Sequence, residues 1–342
     1  MNLVKNFRLN QILLYGVFTV IFIFGMNIAK DFGLSWDSMQ RSSGIKTAGF
    51  IMTKFGISNP LEKNYQDYPD NHNDAYGVIF DLVSIGLEKL FNLNDKKEIY
   101  IMRHKLNFSF YFIGCLFYFF ISKKVFGFKI AIISTLIYAL HPRLLAHGFF
   151  NPKDSILQSF LVITTYPILL SFEKKSIKWF ILSGIMMGIC ISTRMVMAYI
   201  PFLFIFFTIM LNINSNTFNV KYELKEILKK LSFTIVFCII SLIFFLPILW
   251  ENTITNLIWA FQTMKNFPWN GSVLFMGDKV SSNNLPWYYL IVWYFISTPL
   301  SFCFLYVLGI IRSIYFISFD FIKENPLLYF SISGILIPYF AV

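Results

Sequence analysis

The chain has 342 residues, of which 56% are hydrophobic, 20% aromatic and 14% charged, with a formal net charge of +11 and a mean hydropathy of +0.62. So little charge excludes a water-soluble domain of this length, whose exterior needs far more polar surface. The excess of Lys and Arg does not point to nucleic acid either, because these residues cluster in short segments between apolar blocks, where they set membrane topology.

The blocks are long and lack the alternation of a β-barrel. Helices satisfy their own backbone hydrogen bonds in lipid. The expected fold class is therefore all-α: a polytopic transmembrane helix bundle of about nine spans, one domain over 1–342. The first span runs from Gln11 to Ala29 and leads into Lys30-Asp31 rather than a small-residue cleavage site, so it reads as a retained anchor. Residues 31–104 form a large polar first outer loop. Within it, Ile45, Ala48, Met52 and Phe55 follow helical spacing in the stretch from Trp36 to Phe55, which suggests an amphipathic surface helix on the membrane.

Later spans are expected at 105–122, 126–140, 155–172, 179–194, 195–213, 231–250, 286–311 and 327–342. The last is apolar to Val342, so either the chain is a fragment or this helix is tucked into the bundle. Cys115, Cys190, Cys238 and Cys303 lie inside apolar runs with no metal spacing and read as buried structure. Asp70-Asn71-His72-Asn73-Asp74 fails the calcium-loop pattern, because Ala75 stands where that loop needs glycine.

With the N-terminus cytoplasmic, Lys5, Arg8, Lys123, Lys124, Lys129, Lys174, Lys175, Lys178, Lys221, Lys225, Lys229, Lys230, Arg312 and Lys323 fall inside. The short outer segments hold only Arg143, Lys153, Arg194, Lys265 and Lys279. That bias puts 31–104, 141–154, the tight turn at Arg194 and 251–285 on the outer face.

Three outer segments carry polar residues that composition does not explain. Asp37 follows Trp36 just beyond the first span; its plain alternative is a solvated loop carboxylate. The short connection His141-Pro142-Arg143 to Asn151-Pro152-Lys153-Asp154 packs in His141, Arg143, His147, Asn151, Lys153 and Asp154. Its last four residues could simply cap the next helix, with Pro at the start and an acid in the first turn. Glu251 stands at a span end within Trp250-Glu251-Asn252, ahead of the late Leu285-Pro286-Trp287-Tyr288-Tyr289. Arg194, near the headgroups, calls for an anionic partner from protein or ligand phosphate.

An Asp just after the first span, a His-Pro-Arg…His…Phe-Asn-Pro-Lys-Asp loop and a late Leu-Pro-Trp-Tyr-Tyr segment opening a span make up a recognisable set. Together they resemble the multi-spanning glycosyltransferases of the C superfamily, in particular bacterial relatives of the dolichyl-phosphate-mannose–protein mannosyltransferases (glycosyltransferase family 39). The resemblance implies a polyprenyl-phosphate sugar as donor and catalysis at the extracytoplasmic face of the plasma (inner) membrane. It implies a first-loop acid as catalytic base, which falls on Asp37, and a second acid, which falls on Asp154. Many relatives carry an Asp-Glu pair in the first loop, whereas here Ser38 follows Asp37.

The residues suit that chemistry. Cations neutralise the charge developing on a departing phosphate, and Arg143, Lys153 and Arg194 are available. The acceptor hydroxyl needs one carboxylate as base, and a single displacement inverts the anomeric centre. His141, His147, Asn151 and Glu251 are candidates to line the site. The expected partners are the lipid-linked donor, a protein, lipid or glycan acceptor, and membrane lipids, with no nucleic acid. No cofactor is called for, and a divalent metal is left open. The rival reading is a transporter or flippase for a lipid-linked or anionic substrate, which would want charges in mid-span or paired broken helices.

Overall fold

The computed structural model describes residues 2–37, 41–57, 72–212, 220–266 and 269–315. These residues form thirteen α-helices and one small β-hairpin. Helix α1 (Asn2–Ile28) leads through a 3-10 turn at Ala29–Asp31 into the first polar segment, which carries α2 (Arg41–Lys54) and α3 (Ile79–Leu90). The bundle continues with α4 (Lys96–Phe126), α5 (Phe128–Ala139), α6 (Pro142–Phe150), α7 (Asp154–Lys174), α8 (Ile177–Thr193), α9 (Tyr199–Asn212) and α10 (Val220–Phe245). Helices α11 (Thr253–Lys265), α12 (Tyr289–Ser297) and α13 (Leu300–Tyr315) follow.

Among the described residues, three helices are long and apolar enough to cross a bilayer: Lys96–Phe126, Asp154–Lys174 and Leu224–Phe245. A bent pair, α5 with α6, makes a fourth if counted as one span; Ile177–Thr193, Met195–Leu211 and Leu300–Arg312 are shorter apolar helices. The expected last span, 327–342, lies outside the described residues.

Helix α4 starts on an aspartate N-cap. Asp95 accepts a hydrogen bond from the Glu98 backbone N–H at 3.2 Å, with Glu98 three residues on. It stops at Gly127, whose φ of 82° lies in the left-handed region that glycine tolerates. Helix α4 packs on α5 and α7, α7 on α8, and α8 on α10. The α8–α10 contact has no room to spare. A Cβ at Gly184 would stand 2.3 Å from the Thr234 carbonyl oxygen, and one at Gly188 would stand 2.4 Å from that of Cys238. This glycine pair, four residues apart, lets two backbones approach as lipid-embedded helices prefer. Hydroxyls bridge the seam: Thr234 Oγ1 donates to the Phe180 carbonyl at 3.0 Å and Ser241 Oγ to that of Ile185 at 2.8 Å.

Two expectations are corrected. The 141–154 segment, expected as a short connection between spans, carries a helix of its own. Pro142 opens α6, which leaves α5 at an angle of 61°. His141 is held extended (φ −60°, ψ 118°), as the residue before a proline prefers. The expected span 286–311 is broken into α12 and α13. Pro299 offers no backbone N–H, and Thr298 before it is extended. Helix α2 lies within the stretch expected to carry a surface helix; Gly44, Thr47 and Gly49 are its buried residues, and it packs on α3 where Gly44 meets Asp81.

Nor is the described chain purely helical. Strands β1 (Ser272–Phe275) and β2 (Asp278–Ser281) pair antiparallel, with Phe275 opposite Asp278. Met276 and Gly277 both have positive φ, as a tight two-residue hairpin turn demands.

Candidate active site

Three stretches of chain meet at one end of the bundle. The first follows α1. Ser35 Oγ donates to the Phe150 carbonyl at 2.7 Å, tying the first polar segment to the end of α6. A stack of three rings supports this corner, with Phe149 lying 4.2 Å from Phe32 and 4.7 Å from Phe108, nearly parallel to both. Asp37 is thereby held beside the α6–α7 connection, its Oδ1 4.0 Å from Lys153 Nζ.

The second stretch is that connection, organised by Asn151, which is 95% buried. Its Oδ1 accepts from the backbone N–H groups of Lys153 (3.1 Å) and Asp154 (2.9 Å). Its Nδ2 donates to Asp154 Oδ2 at 3.1 Å and lies 3.0 Å from His147 Nδ1. The amide is thus a local cap for α7 and, at once, the brace that aims Lys153 and Asp154. His147 is fixed in turn by Asn107, whose Nδ2 donates to the His147 carbonyl at 3.0 Å.

The third stretch is the end of α8. Arg194 is extended (φ −149°, ψ 125°) where the helix gives way to a 3-10 turn at Met195–Ala198. Its Nη2 meets Asp154 Oδ1 at 2.6 Å. The Nε is buried and has no hydrogen-bond partner among the described residues. Two carboxylates and two cations therefore alternate around one spot: Asp37, Lys153, Asp154, Arg194.

Tyr76 lies against both cations. Lys153 Nζ is 3.8 Å from the ring centroid and Arg194 Cζ is 5.5 Å from it. Nothing in its sequence context, between Asp74-Ala75 and Gly77-Val78-Ile79-Phe80, marks this residue. Asp37, Tyr76, Asp81, Lys153 and Thr193 line a common small cavity. Asp81 is engaged on its far side by buried Arg103 at 2.6 Å, a pair that anchors α3 to α4.

Burial is the main influence on the Lys153 ammonium and pushes its pKa down to about 8. Asp37 pulls the other way, and Arg194 adds to the lowering. The Tyr76 phenol is pushed up, first by burial, with Arg194 opposing. Such a set can hold a dianionic or monoanionic phosphate on Lys153 and Arg194 while leaving a carboxylate beside it to take a proton.

Other candidates stand apart. Arg143 Nη1 donates to Ser297 Oγ at 2.5 Å, at the end of α12. His141 accepts from the Leu144 backbone N–H at 3.4 Å, capping α6, and its ring lies 4.3 Å from that of Phe302. Glu251 is ion-paired with Lys54. Among the described residues there is no group of three or more His, Cys, Asp or Glu placed to hold a metal ion.

Residues 106–250 match the family model described as dolichyl-phosphate-mannose-protein mannosyltransferase. The match takes in His141, Arg143, His147, Asn151, Lys153, Asp154 and Arg194; Asp37, Tyr76 and Glu251 lie outside it. Comparison with curated proteins and with solved structures returned no match. Over the matched residues the chain resembles that mannosyltransferase family, in agreement with the likeness drawn from its loop motifs.

Proposed function

We propose that the chain is a membrane glycosyltransferase that moves a sugar from a polyprenyl-phosphate donor to an acceptor hydroxyl at the extracytoplasmic face of the plasma membrane. The observation that carries this reading is the convergence of Asp37 with Lys153, Asp154 and Arg194 at one end of an apolar helix bundle. The family match over residues 106–250 supports the reaction class independently.

In this reading the donor phosphate binds on Lys153 and Arg194, and the buried Arg194 Nε, which has no partner among the described residues, offers it a further donor. Asp154 keeps Arg194 in place until the phosphate arrives. The acceptor oxygen attacks the anomeric carbon from the face opposite the phosphate and gives its proton to Asp37. The bond from the anomeric carbon to the phosphate oxygen breaks, and its electron pair leaves with the phosphate. Lys153 and Arg194 stabilise the charge that develops there. One displacement inverts the anomeric centre. Asn151, braced by His147, holds the Asp154 side chain and the backbone N–H of Lys153, and Arg143 would join the donor only by leaving Ser297.

The loop-charge bias supports a cytoplasmic N-terminus and an outward site, with about nine crossings in all. The lipid tail of the donor accounts for a site at the end of the spans rather than in a separate soluble domain. The test is to incubate the purified protein with labelled polyprenyl-phosphate sugars and measure transfer and hydrolysis. Turnover that disappears in Asp37→Asn is the expected result. Absence of binding and turnover with every such donor would overturn the reading.

A further inference from the structure

Tyr76 reaches the site by an unusually close backbone contact. The Gly77 N–H donates to the Thr193 carbonyl at 3.3 Å, the last residue of α8 before Arg194. A Cβ on Gly77 would lie 2.5 Å from both the Ser192 carbonyl oxygen and Thr193 Cα, so only glycine lets the two strands of chain lie this near. The contact fixes Tyr76 against the very residue that places Arg194. Lys153 reaches the same ring from the start of α7.

Two cations facing one phosphate site repel each other when it is empty. Each is partly compensated by a carboxylate, Lys153 by Asp37 and Arg194 by Asp154. The aromatic ring adds a second, uncharged attraction, since its negative face draws cations without occupying their hydrogen-bond donors. A carboxylate in that position would compete with the phosphate for the same N–H groups.

We infer that Tyr76 is a positioning residue for the donor phosphate, its ring face holding Lys153 beside Arg194 with their donors left for the ligand. The inference rests on the sugar-transfer reading for the identity of the ligand, but not for the coupling between Tyr76 and Lys153. The ring, rather than the hydroxyl, carries the effect, so Tyr76→Phe keeps it. Tyr76→Leu removes the ring face and keeps most of the volume.

The experiment has two arms on the full-length protein in detergent. In the first, with no ligand added, the titration of Lys153 is followed by its rate of competitive acetylation against pH. Wild type and Tyr76→Phe titrate together, and Tyr76→Leu titrates lower by roughly half a unit or more, because a neighbour that favours the charged form is gone. In the second arm, binding of farnesyl phosphate is measured. Affinity falls roughly 3- to 30-fold in Tyr76→Leu and stays near wild type in Tyr76→Phe. Should Tyr76→Leu not fold, Tyr76→Met serves the same comparison with a more adaptable side chain.

An unchanged Lys153 titration in the ring-less variants overturns the role of Tyr76. A shifted titration in a protein that does not bind farnesyl phosphate, or binds inorganic phosphate just as well, upholds the coupling and overturns the lipid-donor reading instead.

Discussion

Asp37 and Lys153 stand 4.0 Å apart and each side chain is mostly buried, so the carboxylate favours the charged form of the ammonium. In the free protein Lys153 is protonated below about pH 8 and loses its charge as pH rises through that value. Affinity for a phosphate-bearing donor is therefore expected to fall across the same pH, and to stay flat in Lys153→Arg, whose guanidinium does not titrate there. The sign for stability is opposite. Because the folded pKa lies below the ordinary Lys value of 10.5, the unfolded chain binds more protons between about pH 8 and 10.5, and stability from this group rises with pH through that window. Binding isotherms taken from pH 6 to 9.5 check the first expectation; a break that persists unchanged in Lys153→Arg would assign it elsewhere. Asp37→Asn tests the base. Transfer should drop at least about 100-fold, the usual scale of general-base catalysis, with donor affinity changed only a few-fold at pH 7. Since Asp37 favours the charged form of Lys153, the affinity break should also move to lower pH in this variant.

At the scale of elements, the site depends on contacts that turn three helix ends toward one another. Gly77→Ala is expected to be more damaging than its size suggests. The added methyl meets the Ser192–Thr193 backbone at the end of α8, so the segment carrying Tyr76 must move away from it. Loss of most transfer activity with retained expression and helix content by circular dichroism is the expected result, and near-normal turnover would show that the contact is dispensable. Asn151→Ala removes the cap of α7 together with the brace on Asp154. It should cost about 1 kcal/mol from the cap alone, read as a lower unfolding temperature in detergent, and lower donor affinity as well. These elements differ in how far the amino-acid sequence announces them. Asp37, Asn151, Lys153, Asp154 and Arg194 stand out because polar groups at the ends of apolar runs need a reason to be there. Tyr76 and the Asp81–Arg103 pair do not, since their positions follow from how the first polar segment folds back on the bundle, and no local pattern encodes that. The break at Thr298–Pro299 is encoded by a proline inside an apolar run, a signal that the expected span 286–311, drawn from apolar length alone, does not use. Hydrophobic spacing marks the apolar face of α2, whereas its contact with α3 is made at Gly44, a small residue that such spacing does not single out.

For the whole molecule, the direction in which the bundle sits in the bilayer decides whether the site meets an acceptor from outside. Helix α7 has 21 residues, which at 1.5 Å per residue span about 30 Å, the thickness of a hydrocarbon core. Its first residue, Asp154, belongs to the site; its far end, at Lys174, is followed by the short turn to Ser176. Those two points therefore lie on opposite sides of the membrane if α7 crosses it. Asn94, exposed in the turn between α3 and α4, belongs to the first polar segment with Asp37. The four native cysteines are all buried, so background labelling by a thiol reagent should be low. In intact cells Asn94→Cys is expected to react with an impermeant maleimide, and Ser176→Cys only after the membrane is opened. The reverse pattern would place the site in the cytoplasm, where the loop charges argue it does not belong, and would require a nucleotide-linked rather than lipid-linked donor to be considered. Labelling of both positions in intact cells would mean that α7 does not cross, and that the apolar length of this helix is spent on protein contacts instead.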